Sequence, residues 1–172
     1  MRSCSLLALA FVAATAAAQP VPRASGGDFD AKPWEEQRSQ LPSYPKPENL
    51  ARIYVGPTSS FEFYVDTASV SVSEDGIVRY TLVARSSSGA MNVSYEGIRC
   101  KTYDRKLYAL GRFDGIWSQA RDPQWVPINR TQANSQHAAL AEDFFCSQRA
   151  QIGTVEQAVQ ALRRGNQPGV VR

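Results

Sequence analysis

Histidines, free cysteines and facing carboxylates are the groups that most often do chemistry, and this sequence is sparing with them. Its 172 residues include one histidine, His137, and three cysteines, Cys4, Cys100 and Cys146. Ser135 and Asp143 lie near His137 in sequence. None of the spacings of a nucleophile elbow, a zinc-binding H-E-x-x-H, a dinucleotide loop or a Walker loop occurs. The setting predicts a surface or helix-capping histidine. Glu35-Glu36 and Glu142-Asp143 are adjacent pairs on expected helices, where neighbours point in different directions, whereas glycoside cleavage needs two carboxylates facing one bond. A metal centre needs more His or Cys partners than one histidine supplies, so no metal and no cofactor is expected.

The densest polar row lies in DGIVRYTLVARSSSGAMNVSYEGIRC, Asp75 to Cys100. Val78, Tyr80, Leu82 and Ala84 alternate with Arg79, Thr81 and Arg85, the period-two pattern of a strand with one apolar face. Upstream, Val70 and Val72 alternate with serines. A three-residue loop Glu74-Asp75-Gly76, with Gly76 near the left-handed region, pairs Val72 with Val78 and Val70 with Tyr80 and keeps the apolar sets together. Beyond a turn at Ser87–Ala90, Met91, Val93 and Tyr95 share one parity, and Ile98 and Cys100 the other. A β-bulge at Glu96-Gly97 would reconcile them. Asn92, Ser94, Glu96 and Arg99 would then face outward beside Arg79 and Thr81. Two readings stand for this row: a solvated face with a cross-strand ion pair, or a site. Trp117 and Trp125, in the loop region Asp114–Arg130, either pin that loop to the sheet or offer aromatic surface to a ligand. The candidate ligand or partner face is therefore Arg79, Asn92, Glu96, Arg99, Trp117 and Trp125.

The elements that must position these residues follow from the rest of the pattern. Leu50–Val55, Phe61–Val65 and Leu107–Phe113 read as strands, with a turn at Asp104-Arg105-Lys106 and one more short strand near Val126 and Ile128. From about Asn134, Leu140, Ala141, Phe144 and Phe145 make one apolar helical face that ends at Cys146. Thr154 with Gln157 is a capping-box pattern, Val155, Ala158, Val159 and Leu162 form a stripe, and Arg163, Arg164 and Gly165 suit a helix end. Strands first and helices last predict an α+β fold: a single antiparallel sheet of about six strands with C-terminal helices packed on one face, and one disulfide.

Met1-Arg2, the apolar run Leu6–Ala18 and the small residues Ala16-Ala17-Ala18 read as a signal peptide over residues 1–18. Residues 19–47 are expected to be a flexible Pro-rich leader. Pro33 with Trp34, Glu35 and Glu36 predicts a short helix within it. Pro42, Pro45 and Pro47 predict an extended strap, or a recognition motif. The folded domain is expected over residues 48–164, and a disordered tail over 165–172. Cleavage removes Arg2, so 19 basic residues become 18 against 16 acidic ones, a net charge of +2. That is too small for a nucleic-acid footprint, and no transmembrane segment is expected after cleavage. Cys4 also leaves. Cys100 and Cys146 remain, and two cysteines in an exported chain read as one disulfide. A redox pair would show C-x-x-C.

Together with KLYALGRFDGIW and DFFC, the run from Asp75 to Cys100 resembles the exported bacterial proteins of the CNP1-like (cryptic neisserial protein-like) family. The resemblance covers roughly Phe29 to Arg164, and Asn92–Cys100 is its most specific part. It implies a periplasmic or secreted protein, the Cys100–Cys146 pairing, and tryptophans at the positions of Trp34, Trp117 and Trp125. It supplies no reaction, substrate or cofactor. Cys4 precedes the apolar run, so no lipobox is present. The leading expectation is a non-catalytic binding or accessory module of the cell envelope, whose partner would be an envelope protein. The other is a periplasmic hydrolase working on the polar strand face. An assembly role through the strap or an exposed sheet edge is a third.

Overall fold

Seven strands build the sheet in the computed structural model, which describes residues 33–129, 131 and 135–166. They are β1 (Leu50–Ile53), β2 (Phe61–Val72), β3 (Ile77–Ser86), β4 (Met91–Arg99), β5 (Asp104–Gly111), β6 (Trp117–Gln119) and β7 (Trp125–Pro127). Their order is β1-β2-β3-β4-β5-β6, and β7 also pairs with β5. All pairings are antiparallel. The expected turn at Asp104–Lys106 is displaced: these residues already belong to β5, and the chain turns at Tyr103, whose N–H bonds to the Arg99 carbonyl. The expected loop region 114–130 contributes β6 and β7, which divide the outer edge of β5 between them.

The loop Glu74-Asp75-Gly76 has the expected register, with Val72 opposite Val78 and Gly76 at φ 82°. The pairing of Val70 with Tyr80 does not form. β2 is one continuous strand where two were expected, and it carries a bulge between Asp66 and Ser71. Side chains close that bulge. The Ala68 N–H donates to Asp66 Oδ1, the Ser69 hydroxyl donates to the Asp66 carbonyl, and the Thr81 N–H donates to Ser69 Oγ. The bulge shifts the core-facing parity from Phe63 and Val65 to Val70.

The second bulge is not at Gly97. β4 pairs with β3 without interruption from Met91 to Arg99. The irregularity lies on the other side of β4, where Tyr108 is the extra residue of β5 opposite Tyr95 and Glu96. β4 therefore alternates strictly. Glu96 and Ile98 face one side of the sheet; Val93, Tyr95 and Arg99 face the other. Both sides are covered, so the change of parity marks a change of core and not of register. Gly97 is required by close approach: a Cβ there would lie 2.9 Å from the Tyr108 ring and 3.0 Å from Ile77 Cγ2.

One side of the sheet is covered by α1 (Ser135–Ala139), which continues as a π-helical turn over Leu140–Phe145, and by α2 (Val155–Arg164). Leu140, Phe144, Phe145 and Leu162 share one buried core with Val78, Tyr80 and Ile98, and the Tyr80 and Phe145 rings are 5.3 Å apart. Thr154 caps α2 by accepting from the Gln157 N–H, and Gly165 ends it at φ 72°. A disulfide joins Cys100, after β4, to Cys146, which opens the short ribbon of β8 (Cys146–Ser147) and β9 (Ala150–Gln151). The other side of the sheet is covered by the segment from Trp34 to Lys46. The short helix expected after Pro33 does not form. Residues 34–46 carry no helix or strand, and the unit that contains the sheet begins at Trp34.

The disulfide closes a sequence separation of 46 residues, for which chain entropy gives about 4 kcal/mol. Replacing both cysteines by alanine is expected to lower the urea-unfolding free energy by up to about that amount, and thiol labelling of the denatured, unreduced protein should find neither cysteine free.

Candidate functional site

Asp75 is the centre of the strap side. Its Oδ2 accepts from Arg79 Nη2 at 2.7 Å and from the Gln37 N–H at 3.0 Å. Its Oδ1 accepts from the Ile77 N–H at 3.2 Å. Its backbone carbonyl accepts from Trp34 Nε1 at 2.7 Å. Arg79 adds bonds to Ser73 Oγ and to the Gln37 carbonyl, both at 3.0 Å, and is 1% exposed. Burial alone would lower the Arg79 pKa, but Asp75 and Tyr108 together outweigh it and raise the value, so the guanidinium stays charged. A helix over 34–41 would withdraw the Gln37 N–H and carbonyl into its own ladder. The strap stays extended because the turn and the arginine satisfy those groups instead.

The neighbouring residues repeat this arrangement. Glu36 accepts from Lys106 at 2.8 Å, from the Tyr108 hydroxyl at 2.8 Å and from Trp125 Nε1 at 3.1 Å. Burial raises its pKa, and these three bonds more than reverse that, leaving it lowered. Burial pushes the Tyr108 hydroxyl far up, and Glu36 adds to the shift. The Arg99 guanidinium lies over two indoles, 4.2 Å from Trp34 and 5.0 Å from Trp125, and pairs with Asp104 at 2.9 Å. Trp34 meets Trp125 edge-on at 6.1 Å. Trp117 donates to the Pro42 carbonyl at 2.9 Å and stacks near Tyr44 and Tyr95. Both tryptophans thus pin the strap as well as their own loops.

Glu96 stands on the opposite side of the sheet, under the helices, and is 5% exposed. Its Oε2 accepts from His137 Nε2 at 2.7 Å and from the Tyr80 hydroxyl at 3.3 Å, and its Oε1 from Ser94 at 2.6 Å. Burial pushes the Glu96 carboxyl up, but His137 and Ser94 outweigh it and hold it below the usual value. Burial and Glu96 together push the Tyr80 hydroxyl well up. His137 is buried at 3% exposure, not a surface or capping residue. Its Nδ1 makes no hydrogen bond among the described residues. Asn92 shares this side of the sheet, in register with Ala84, and is exposed.

The sheet therefore divides the row expected to act together. Arg79, Arg99, Trp117 and Trp125 lie beneath the strap; Asn92 and Glu96 lie on the helix side. Ser94, Glu96 and His137 hold three groups familiar from hydrolases, but not in the order Ser–His–acid. The serine donates to the carboxylate and not to the imidazole, so His137 is not placed on its hydroxyl. The sequence carried a signal for buried His137, which falls three and four residues before Leu140 and Ala141 on the same apolar stripe. It carried none for Glu36, Lys106 and Tyr108, which meet through the strap. Asp75 read only as a turn residue.

A family model described as the CNP1-like family matches residues 29–163. The chain belongs to the CNP1-like family. It is 27% identical over 132 residues to Cryptic neisserial protein 1 of Neisseria gonorrhoeae, covering 67% of this chain and 65% of that protein. The chain thus spans just under two thirds of that relative's length. No solved structure matches. In this CNP1-like chain the matched region takes in both the strap and the sheet it covers.

Arg79→Met removes the cation and leaves Asp75 buried, with an expected loss of about 3–5 kcal/mol. Asp75→Asn combined with Arg79→Met leaves no unpaired charge and should lose less than the sum of the single changes in urea unfolding. Glu96 gives a pH test. Its folded pKa lies below the unfolded one, so its contribution is present above about pH 4.5 and is lost as pH falls through the folded value. Unfolding free energy should drop more steeply from about pH 5 to about pH 3 in the wild type than in Glu96→Gln. Equal slopes would contradict this.

Proposed function

We propose that this protein is a non-catalytic binding or accessory module of the bacterial cell envelope, exported by a signal peptide over residues 1–18. The observation that supports this reading is the use to which its charged groups are put. Arg79, Asp75, Glu36 and Glu96 are turned inward and held by the strap, the sheet and α1. Groups held in this way carry the architecture, and recognition falls to residues exposed outside them. A hydrolase on the polar strand face would need Glu96, Arg79 and Arg99 around one cleft, and they lie on two sides of the sheet.

Protein recovered from the periplasmic fraction is expected to begin at Gln19, and native mass spectrometry should show it with a retained ligand or partner. Protein found only in the cytoplasm would contradict the export reading. Hydrolysis of a generic ester, phosphate or glycoside substrate that is lost in Glu96→Gln, with folding intact, would contradict the non-catalytic one.

A further inference from the structure

On the helix side, Phe63, Ala84 and Asn92 form one cross-strand row, since Phe63 pairs with Ala84 and Ala84 with Asn92. Paired residues point to the same side, so the single methyl of Ala84 lies between two larger side chains. A cavity of about 540 Å³ opens over it. Phe61 and Phe63 form one wall, with ring centroids 6.2 Å apart, and Phe61 is 38% exposed. Asn92, Ser60 and Gln136 also line the cavity. None of the described residues lining the cavity is charged. Glu62 and Arg85, next to it in sequence, belong to the other side of the sheet and pair with each other.

We propose that this cavity binds a neutral carbohydrate. A sugar ring has a C–H face and a rim of hydroxyls. The C–H face buries apolar area against the Phe61 ring. The Asn92 amide offers donors and an acceptor together, which matches a pair of neighbouring hydroxyls. A charged ligand would lose its hydration here without gaining a counter-charge from the described lining. The volume falls within the range of small-ligand sites. This inference rests on the binding-module reading and names the ligand class for it.

The test uses the protein lacking only residues 1–18, titrated with glucose, N-acetylglucosamine and, as the charged control, glucuronic acid, with amide chemical shifts as the readout. Neutral sugars are expected to shift Phe61, Ala84 and Asn92. Asn92→Ala and Phe61→Ala should each weaken binding at least about tenfold, the loss of one good contact. Ala84→Trp, which fills the cavity, should abolish it. Asn92 is exposed, so its variant tests the site even if Ala84→Trp fails to fold. Preference for glucuronic acid, or undiminished binding in Asn92→Ala and Phe61→Ala, would overturn the proposal. Absence of sugar binding alongside a retained ligand or partner in native mass spectrometry would overturn the carbohydrate assignment and leave the binding-module reading standing. Absence of both would overturn the two together.

Discussion

The buried pair of Asp75 and Arg79 ties this fold together. Asp75 closes the loop between β2 and β3 through the Ile77 N–H, takes the Arg79 guanidinium, and receives the strap through Gln37 and Trp34. A buried carboxylate is tolerated only when its charge and its lone pairs are all met. Here the local turn supplies part of the requirement and the strap supplies the rest. The strap cannot leave without exposing a desolvated ion pair to partial loss of its partners. Glu36 and Arg99 repeat the device with Lys106, Asp104 and the two indoles.

The consequence is a sheet with two cores. The helix side is apolar, centred on Tyr80, Ile98, Leu140 and Phe145, and it holds one polar island at Glu96 and His137. The strap side is aromatic and charged. Covering both sides changes what an outward-facing arginine or glutamate means: Arg79, Arg99, Glu36 and Glu96 are held by neighbours and not by solvent. In this CNP1-like chain the buried Asp75, Arg79 and Glu96 thus serve the architecture.

Much of the hairpin geometry was legible in the sequence because short-range rules govern it. Gly76 announced a three-residue loop, Thr154 and Gln157 a helix start, and Cys100 and Cys146 a disulfide. What was not legible depended on a covering layer without a periodic pattern of its own. Period-two alternation assumes one buried face. With the strap in place β4 is buried on both, so Tyr95 and Ile98 read as a parity break, and a bulge was inferred at Gly97 when the extra residue is Tyr108 in the next strand. The strap itself has no hydrophobic period. Its order comes from side chains distant in sequence that satisfy its backbone, and Pro33-Trp34-Glu35-Glu36 reads locally as a helix start. The bulge of β2 was hidden for a related reason, since Asp66 and Ser69 close it with side chains that look like loop residues.

Hydrogen exchange of the strap tests the two-core architecture most directly. Peptides spanning 34–46 should be protected about as strongly as those of β3, and should open with the sheet in one unit, because Gln37 and Trp34 are held by the same buried carboxylate that anchors Arg79. Exchange of those peptides at unprotected rates, with β3 and β4 still protected, would contradict it and would return the face of Arg79 and Arg99 to solvent.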